Sequence, residues 1–193
     1  MKFVKILLFN PITKLFLNPP ANNLWGEEPS RVFCAFLELI YHVSIFLPIG
    51  IIVFLFSLGI DSTLLNYTYD TIFACAIIVL LNKDFFNGQS VVKKKTGFQV
   101  VDFKSRKPAS EFKCMIRNTT LPIWLLEAPF FLVDSQRRLG DYIAGTILIK
   151  RESTNPEAIL IDIQNKKYTP KNLLVIFASI IIAILVIAVL NFI

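Results

Sequence analysis

The chain has 193 residues, of which 54% are hydrophobic and only 18% charged. An ordinary soluble domain is about 45 to 50% apolar and about 25% charged, so this balance excludes a typical soluble protein. With 18 Phe, 7 Gly and 3 Cys, the composition also excludes a disordered chain, a collagen and a small disulfide scaffold. We therefore expect an integral membrane protein.

Basic residues exceed acidic ones, 20 against 14, for a net charge of +6. In a membrane protein this excess predicts cytoplasmic loops that face anionic lipid. Nucleic acid is not expected as a partner, because no basic stretch alternates with stacking aromatic residues. The sequence also lacks hydrolase motifs, phosphate-binding loops and metal-ligand spacings, so we expect no enzyme activity, no cofactor and no metal site.

Residues 1–28 predict a basic amphipathic segment that lies on the inner membrane surface. Lys2, Lys5 and Lys14 alternate with Phe and Leu, and Pro11 interrupts the run. A secretory signal peptide would need an uninterrupted apolar centre and a small-residue cleavage site, which this segment does not have.

Two apolar segments follow, Val32–Ile60 and Leu64–Leu81, and each predicts a transmembrane helix. Pro48 is expected to kink the first helix. Because the connection between them is very short and contains no Lys or Arg, we expect the two helices to be antiparallel.

The next stretch, Asn82–Cys114, contains eight Lys and Arg against three acidic residues, a net charge of +5. By the positive-inside rule this loop is cytoplasmic, which also places the N-terminus in the cytoplasm. Alternating residues around Gly97 suggest a small hairpin or a loop on the membrane surface.

A third apolar segment, Met115–Val133, contains two prolines and two charged residues within a length that barely spans a bilayer. It predicts either a re-entrant hairpin or a fourth crossing, and the basic residues after it favour the hairpin. Residues 151–171 then form a cytoplasmic linker, and Asn172–Ile193 forms a C-terminal transmembrane helix.

Ionisable residues inside apolar segments are costly unless they are paired or hydrated, so they are the candidates for function. Glu38 and His42 lie four residues apart on one helix face, where they can relay a proton, hold a cation or form a purely structural pair. If the segment Met115–Val133 is a hairpin, Arg117 stays near the inner surface, where it can contact lipid phosphate or a carboxylate of the first helix such as Glu38.

Several motifs resemble the RDD family of bacterial membrane proteins, which is named for one arginine and two aspartates. They are Arg31, the stretch FFNGQSVVKKKTGFQVVD, Arg117 and the stretch RRLGDYIAGTILI. Arg31 matches the arginine and Asp141 the second aspartate, whereas Glu38 replaces the first aspartate. The resemblance covers residues 29–150 and implies a fold more than an activity, although such proteins are commonly suspected of transport.

In the last of these motifs, Gly140 and Gly145 are expected to permit close backbone approach, and Arg137 and Arg138 to meet lipid headgroups. The segment is expected to form a turn that leads into a short strand or helix. Asp141 can then accept hydrogen bonds from Arg31 or Arg117.

The sequence thus predicts an all-α membrane protein with three transmembrane helices plus a re-entrant or fourth membrane segment, and the resemblance to the RDD family implies the bacterial inner membrane. The favoured function is that of a small membrane module for ion or small-solute transport through a polar intramembrane cluster, and a non-catalytic scaffold or assembly role is the alternative. A transporting form would need a homo-oligomer or a partner membrane protein, because three crossings enclose little space. The predicted polar cluster comprises Arg31, Glu38, His42, Arg117 and Asp141.

Overall fold

A computed structural model describes residues 31–57, 62–120 and 137–192, and these residues are mostly helical. They belong to two compact units, Met1–Ala76 and Ile77–Ile193. The predicted interfacial segment 1–28 and most of the segment Met115–Val133 lie outside the described residues.

The first unit contains a long helix, α1, from Arg31 to Ser57. Helix α1 confirms the first predicted apolar helix, and Pro48 lies inside it. Its stretch Phe33–Leu55 is long and apolar enough to cross a membrane. About half of its large apolar side chains are exposed, among them Phe36, Leu39 and Leu47, which suits a helix surrounded by lipid.

Helix α2 runs from Ser62 to Asn82, which confirms that the second predicted segment is helical, whereas its crossing of a membrane stays a prediction. The boundary between the two units falls within it, after Ala76. Its last turns, from Ile77 on, belong to the second unit, where Ile77 and Leu81 are buried.

The second unit is not all-α, which corrects the predicted fold class. After helix α3 (Val91–Thr96) come strand β1 (Phe98–Asp102) and helix α4 (Glu111–Asn118). Helix α5 (Leu139–Ala144) then leads into strand β2 (Thr146–Lys150). The two strands pair antiparallel, with Phe98 opposite Lys150 and Asp102 opposite Thr146.

Of the two structures expected around Gly97, a hairpin or a surface loop, the hairpin is therefore wrong. Gly97 instead ends α3, with a φ of 71°, and β1 pairs with a strand that begins forty-four residues after β1 ends. The alternation in residues 98–102 did signal a strand, but the partner of a strand is set by the tertiary fold and not by its neighbours in sequence. The strand or helix expected after Arg137 and Arg138 is confirmed by α5 and β2.

Two helices complete the chain. Helix α6 (Ala158–Asn165) lies within the predicted linker, so that this linker is not an extended connection. Helix α7 (Pro170–Phe192) confirms the predicted C-terminal helix and is the second described helix that is long and apolar enough to span a membrane. One face of α7 is buried and packs against α4 and the end of α2, through Asn172, Val175, Ser179 and Ala183.

Candidate functional site

A network of buried charged side chains joins α4, α5 and the loop after α2. At its centre Arg117 contacts two carboxylates, Asp84 through Nη1 at 3.1 Å and Asp141 through Nε at 2.5 Å. Asp84 and Asp141 have no exposed surface, and Arg117 is only 3% exposed. A single guanidinium thus bridges two carboxylates in the interior of the unit.

Asp84 is held by three different donors. Lys93 of α3 donates from Nζ to Oδ1 at 2.8 Å, while Oδ2 accepts from Arg117 and, at 3.4 Å, from the amide of Asn118. The Asn118 amide also donates to the carbonyl of Leu81 at 3.2 Å, at the end of α2. The first acid after the apolar helix is therefore tied to both α3 and α4.

Asp141 is held equally firmly at the start of α5. Its Oδ1 accepts from Arg117 and, at 2.7 Å, from the Thr146 hydroxyl, and its Oδ2 accepts from the backbone N–H of Arg138 at 3.3 Å. Burial alone would raise the pKa of Asp141, but the nearby Arg117 and Arg138 guanidiniums and these hydrogen bonds outweigh it and hold the pKa well below its usual value. The carboxyl is therefore charged at neutral pH.

Arg138 closes the network from the far side. Its side chain is buried, and Nη2 donates to Oδ1 of Asn118 at 2.9 Å. Asn118 thus uses its amide nitrogen toward Asp84 and its amide oxygen toward Arg138, which makes it a neutral link between an acid and a base.

Local sequence features place these side chains. Ser110 begins α4 by accepting a hydrogen bond from the Lys113 backbone N–H, so the helix starts at a fixed residue and presents Arg117 two turns later. Gly140 lets α5 approach α4, because a Cβ at this position would lie 2.1 Å from the carbonyl oxygen of Arg117. The expected close approach at Gly140 is thus confirmed.

Gly145 has a different role from the one expected. Its nearest neighbour for an added Cβ is the amine of Lys113 at 3.9 Å, so that space is not the constraint. The constraint at Gly145 is its φ of 63°, because this left-handed conformation ends α5 and turns the chain into β2.

The network contains three cations, Lys93, Arg117 and Arg138, against two anions, Asp84 and Asp141. Charged side chains that are buried away from water are tolerated only when they are paired and hydrogen-bonded, as the side chains of this network are. Within the described residues, no group of three or more His, Cys, Asp or Glu side chains is arranged to hold a metal ion. The geometry is that of an ionic clamp that fixes α3, α4 and α5 to the end of α2.

Of the predicted polar cluster, the structure brings together Arg117 and Asp141, which is one of the two pairings predicted for Asp141, the other being with Arg31. Arg31, Glu38 and His42 belong to the other unit, on α1. Within that unit, Glu38 and His42 are buried, and Nδ1 of His42 lies 2.6 Å from the carbonyl oxygen of Glu38. A carbonyl only accepts, so Nδ1 carries the hydrogen. A link from these residues to Arg117 or Asp141 stays a prediction.

The two arginines expected at lipid headgroups have protein partners in the structure. Arg138 is buried in the network. Arg137 is half-buried between the rings of Phe103 and Tyr142, with its Cζ 4.3 Å and 4.2 Å from their centroids. Arg138 therefore differs from the prediction, because a buried carboxylate and amide attract it inward.

Sequence reasoning missed four members of the network, Asp84, Lys93, Asn118 and Thr146. A usable signal existed for Asp84, since it is the first acid after the apolar run that forms α2. Lys93 gave no such signal, because it lies in a run of three lysines that suggests a solvated surface.

Comparison with known protein families, with curated proteins and with solved structures finds no match for this chain. The interpretation of the site therefore depends on its own geometry.

Proposed function

We propose that this chain is an RDD-type integral membrane protein that acts as a non-catalytic scaffold or assembly module. In this proposal α1, α2 and α7 cross the bilayer, and the rest of the second unit forms a small domain on the cytoplasmic side. The length and apolar composition of α1 and α7 support the membrane location. The direct pairing of Arg117 with Asp141, two positions in the motifs that resemble the family, supports the assignment to it.

One observation favours the scaffold over a transporter, the complete burial of both network carboxylates. Each is occupied by cationic and amide donors from two or more elements, so an ion or substrate would have to displace several hydrogen bonds to reach it. Replacing one partner of such a pair costs about 3 to 5 kcal/mol. Groups held this firmly are suited to fixing helices and not to exchanging ions.

Transport is the second candidate, and Glu38 and His42 favour it. A carboxylate and an imidazole buried one turn apart in a candidate membrane-spanning helix are the groups that proton pathways use. In this version α1 carries the chemistry and the network of the second unit holds the domain.

Flux measurements on the full chain in liposomes separate the two. With a pH-sensitive dye and imposed sodium or potassium gradients, the scaffold predicts a proton flux no greater than that of protein-free liposomes. A flux that Glu38→Gln abolishes while the melting temperature stays the same would reject the scaffold in favour of transport.

Topology is tested separately by cysteine labelling from outside the cell. We expect a Cys at Ser62 to be modified, and a Cys at Ser105 or Ser153 to be protected. Labelling at Ser153 would establish that Met115–Val133 crosses the membrane a fourth time instead of re-entering.

A further inference from the structure

A tight turn follows β1 and carries several cations. Its conformation is fixed from within, because Oδ1 of Asp102 accepts from the backbone N–H groups of Lys104 at 3.1 Å and Ser105 at 2.7 Å. The backbone of Asp102 also forms two hydrogen bonds across the turn. Its carbonyl accepts from the N–H of Arg106 and its N–H donates to the carbonyl of Lys107, each at 2.9 Å. The side chains of this turn therefore project from a preformed backbone.

Beside the turn, Arg137 lies between two exposed rings. Phe103 is 41% exposed and Tyr142 is 48% exposed, although both are large aromatic residues. Arg137 is held there by hydrogen bonds from Nε to the Thr146 carbonyl and from Nη2 to the Asp141 carbonyl, each at 3.2 Å. These bonds use two of its five N–H groups. Among the described residues, Arg137 thus keeps donor capacity for a phosphate oxygen.

The local charge is strongly positive. Lys104, Arg106 and Lys107 are exposed, and Arg106 lies 5.6 Å from the centroid of the Phe103 ring. The one acid of the turn, Asp102, forms a close ion pair with Lys113 and so does not offset these cations. We refer to the resulting surface as the aromatic-basic patch, which consists of Phe103, Lys104, Arg106, Lys107, Arg137 and Tyr142.

We propose that the aromatic-basic patch docks on the anionic headgroups of the bilayer that α7 enters. This inference depends on the proposed membrane location, and it assigns a lipid partner to a surface that neither the scaffold nor the transport proposal uses. Aromatic rings are favoured at the depth of the headgroups, where one end is apolar and the other wet. Lys and Arg beside them are attracted to anionic lipid, at a gain in binding of about fivefold for each cation.

Two features favour lipid over nucleic acid as the partner. The patch and α7 belong to the same unit, so insertion of α7 confines the patch near a bilayer at a high effective concentration. In addition, guanidiniums already lie over the rings of Phe103 and Tyr142, which leaves less ring surface for a base to stack on.

The test uses the full chain in lipid nanodiscs. A bimane label is attached to Ser105→Cys in a Cys75→Ser background, since Cys75 is the exposed native cysteine in the described residues and Cys34 and Cys114 are buried. Quenching by a nitroxide on the phosphatidylcholine headgroup reports how close the turn lies to the membrane surface. We expect stronger quenching in discs that contain phosphatidylglycerol than in discs of phosphatidylcholine alone.

A matched pair of double variants tests the charge. Lys104→Gln with Lys107→Gln should lower the ratio of docked to undocked turn about 25-fold in anionic discs, at about fivefold for each cation. Lys95→Gln with Arg151→Gln removes the same charge near the opposite end of the β1–β2 sheet, about 13 Å away at ~3.3 Å per residue. This control should leave the quenching unchanged.

Several results would overturn the proposal. Equal quenching in the two kinds of disc would show that the docking does not depend on anionic lipid, and an equal loss of quenching in the two double variants would show that it does not depend on the patch. Reversal of the quenching by millimolar glycerol phosphate would indicate a site for a single free phosphate. Binding to a single-stranded oligonucleotide that is tighter than binding to the discs and depends on Lys104 and Lys107 would indicate nucleic acid as the partner. A chain that fails to enter the discs, or that alkaline carbonate extracts from them, would instead reject the proposed membrane location.

Discussion

The ionic network and the long apolar helices α1 and α7 differ in the interactions that stabilise them. In the network, specific partners at hydrogen-bond distance enclose each charged group, and Asp84 and Asp141 are completely buried. Along α7, only one face is buried, and side chains such as Leu174 and Phe177 are more than half exposed. Removing one partner from the network should therefore lower the free energy of unfolding strongly. At most positions of α7, in contrast, any apolar residue that favours a helix should suffice.

The largest expected effect comes from breaking the central bridge. Asp84→Asn and Arg117→Gln should each destabilise the detergent-solubilised protein by about 3 to 5 kcal/mol, because each deprives two buried charges of one of their partners. The double variant should lose less than the sum of the two singles. Thermal or denaturant unfolding of the four proteins measures this coupling.

The partly exposed pair Asp102–Lys113 supplies the control for that cycle. The native chain, Asp102→Asn, Lys113→Gln and the double variant should give a coupling of about 1 kcal/mol or less, as ion pairs in contact with solvent do. If the cycle on Asp84 and Arg117 is strictly additive, the network does not act as a clamp.

Acid should act through Asp141. Because the pKa of its carboxyl is lowered in the folded protein, its contribution to stability is complete above the unfolded pKa of about 3.9 and is lost as the pH falls toward the folded value. We expect Asp141→Asn to be less stable than the native chain at pH 7 and the difference to shrink below about pH 4. A difference in melting temperature that stays constant from pH 7 to pH 3 would contradict this account.

A smaller effect is expected from the two helical glycines. Gly140→Ala should cost about 1 to 3 kcal/mol, because the new methyl group meets the Arg117 carbonyl in a packed region. Gly50→Ala in α1 is the matched substitution, since nothing lies within 4 Å of a Cβ there, and it should stabilise the helix by about 0.5 to 1 kcal/mol. If the two substitutions change the free energy of unfolding in opposite directions, the contrast between the two regions is sharpened. If both change it in the same direction, the contrast is removed.

The smallest expected effect concerns the polar contact of α7. The amide of Asn82 donates to the hydroxyl of Ser179 at 2.8 Å, and Ser179 is completely buried. Hydrogen bonds of this kind in membrane proteins contribute about 0.6 kcal/mol on average. Ser179→Ala should therefore lower the unfolding free energy by about that amount. A loss as large as that of Asp84→Asn would mean that α7 depends on its polar contact as the network does.

Long elements followed directly from the sequence. The apolar runs predicted α1, α2 and α7 with bounds close to those observed, because a predominantly apolar stretch of about twenty residues is typical of a long helix. The motif around Gly140 and Gly145 predicted a close backbone approach, which is confirmed at Gly140 and not at Gly145, and a turn into regular structure, which α5 and β2 confirm. Arg117 was one of the two arginines predicted to pair with Asp141, because a carboxylate in this position needs a cationic donor.

Only the tertiary structure decided the rest. The sequence contains the residues of β1 but not the identity of its partner β2, since strand pairing depends on contacts between distant parts of the chain. It likewise could not tell which charges of the basic loop are buried. Lys93 and Lys95 are two residues apart in the same short helix, yet only Lys93 faces a carboxylate, Asp84, that can repay its removal from water. Hydropathy reports the average environment of a segment, whereas a buried charge depends on one partner at one distance.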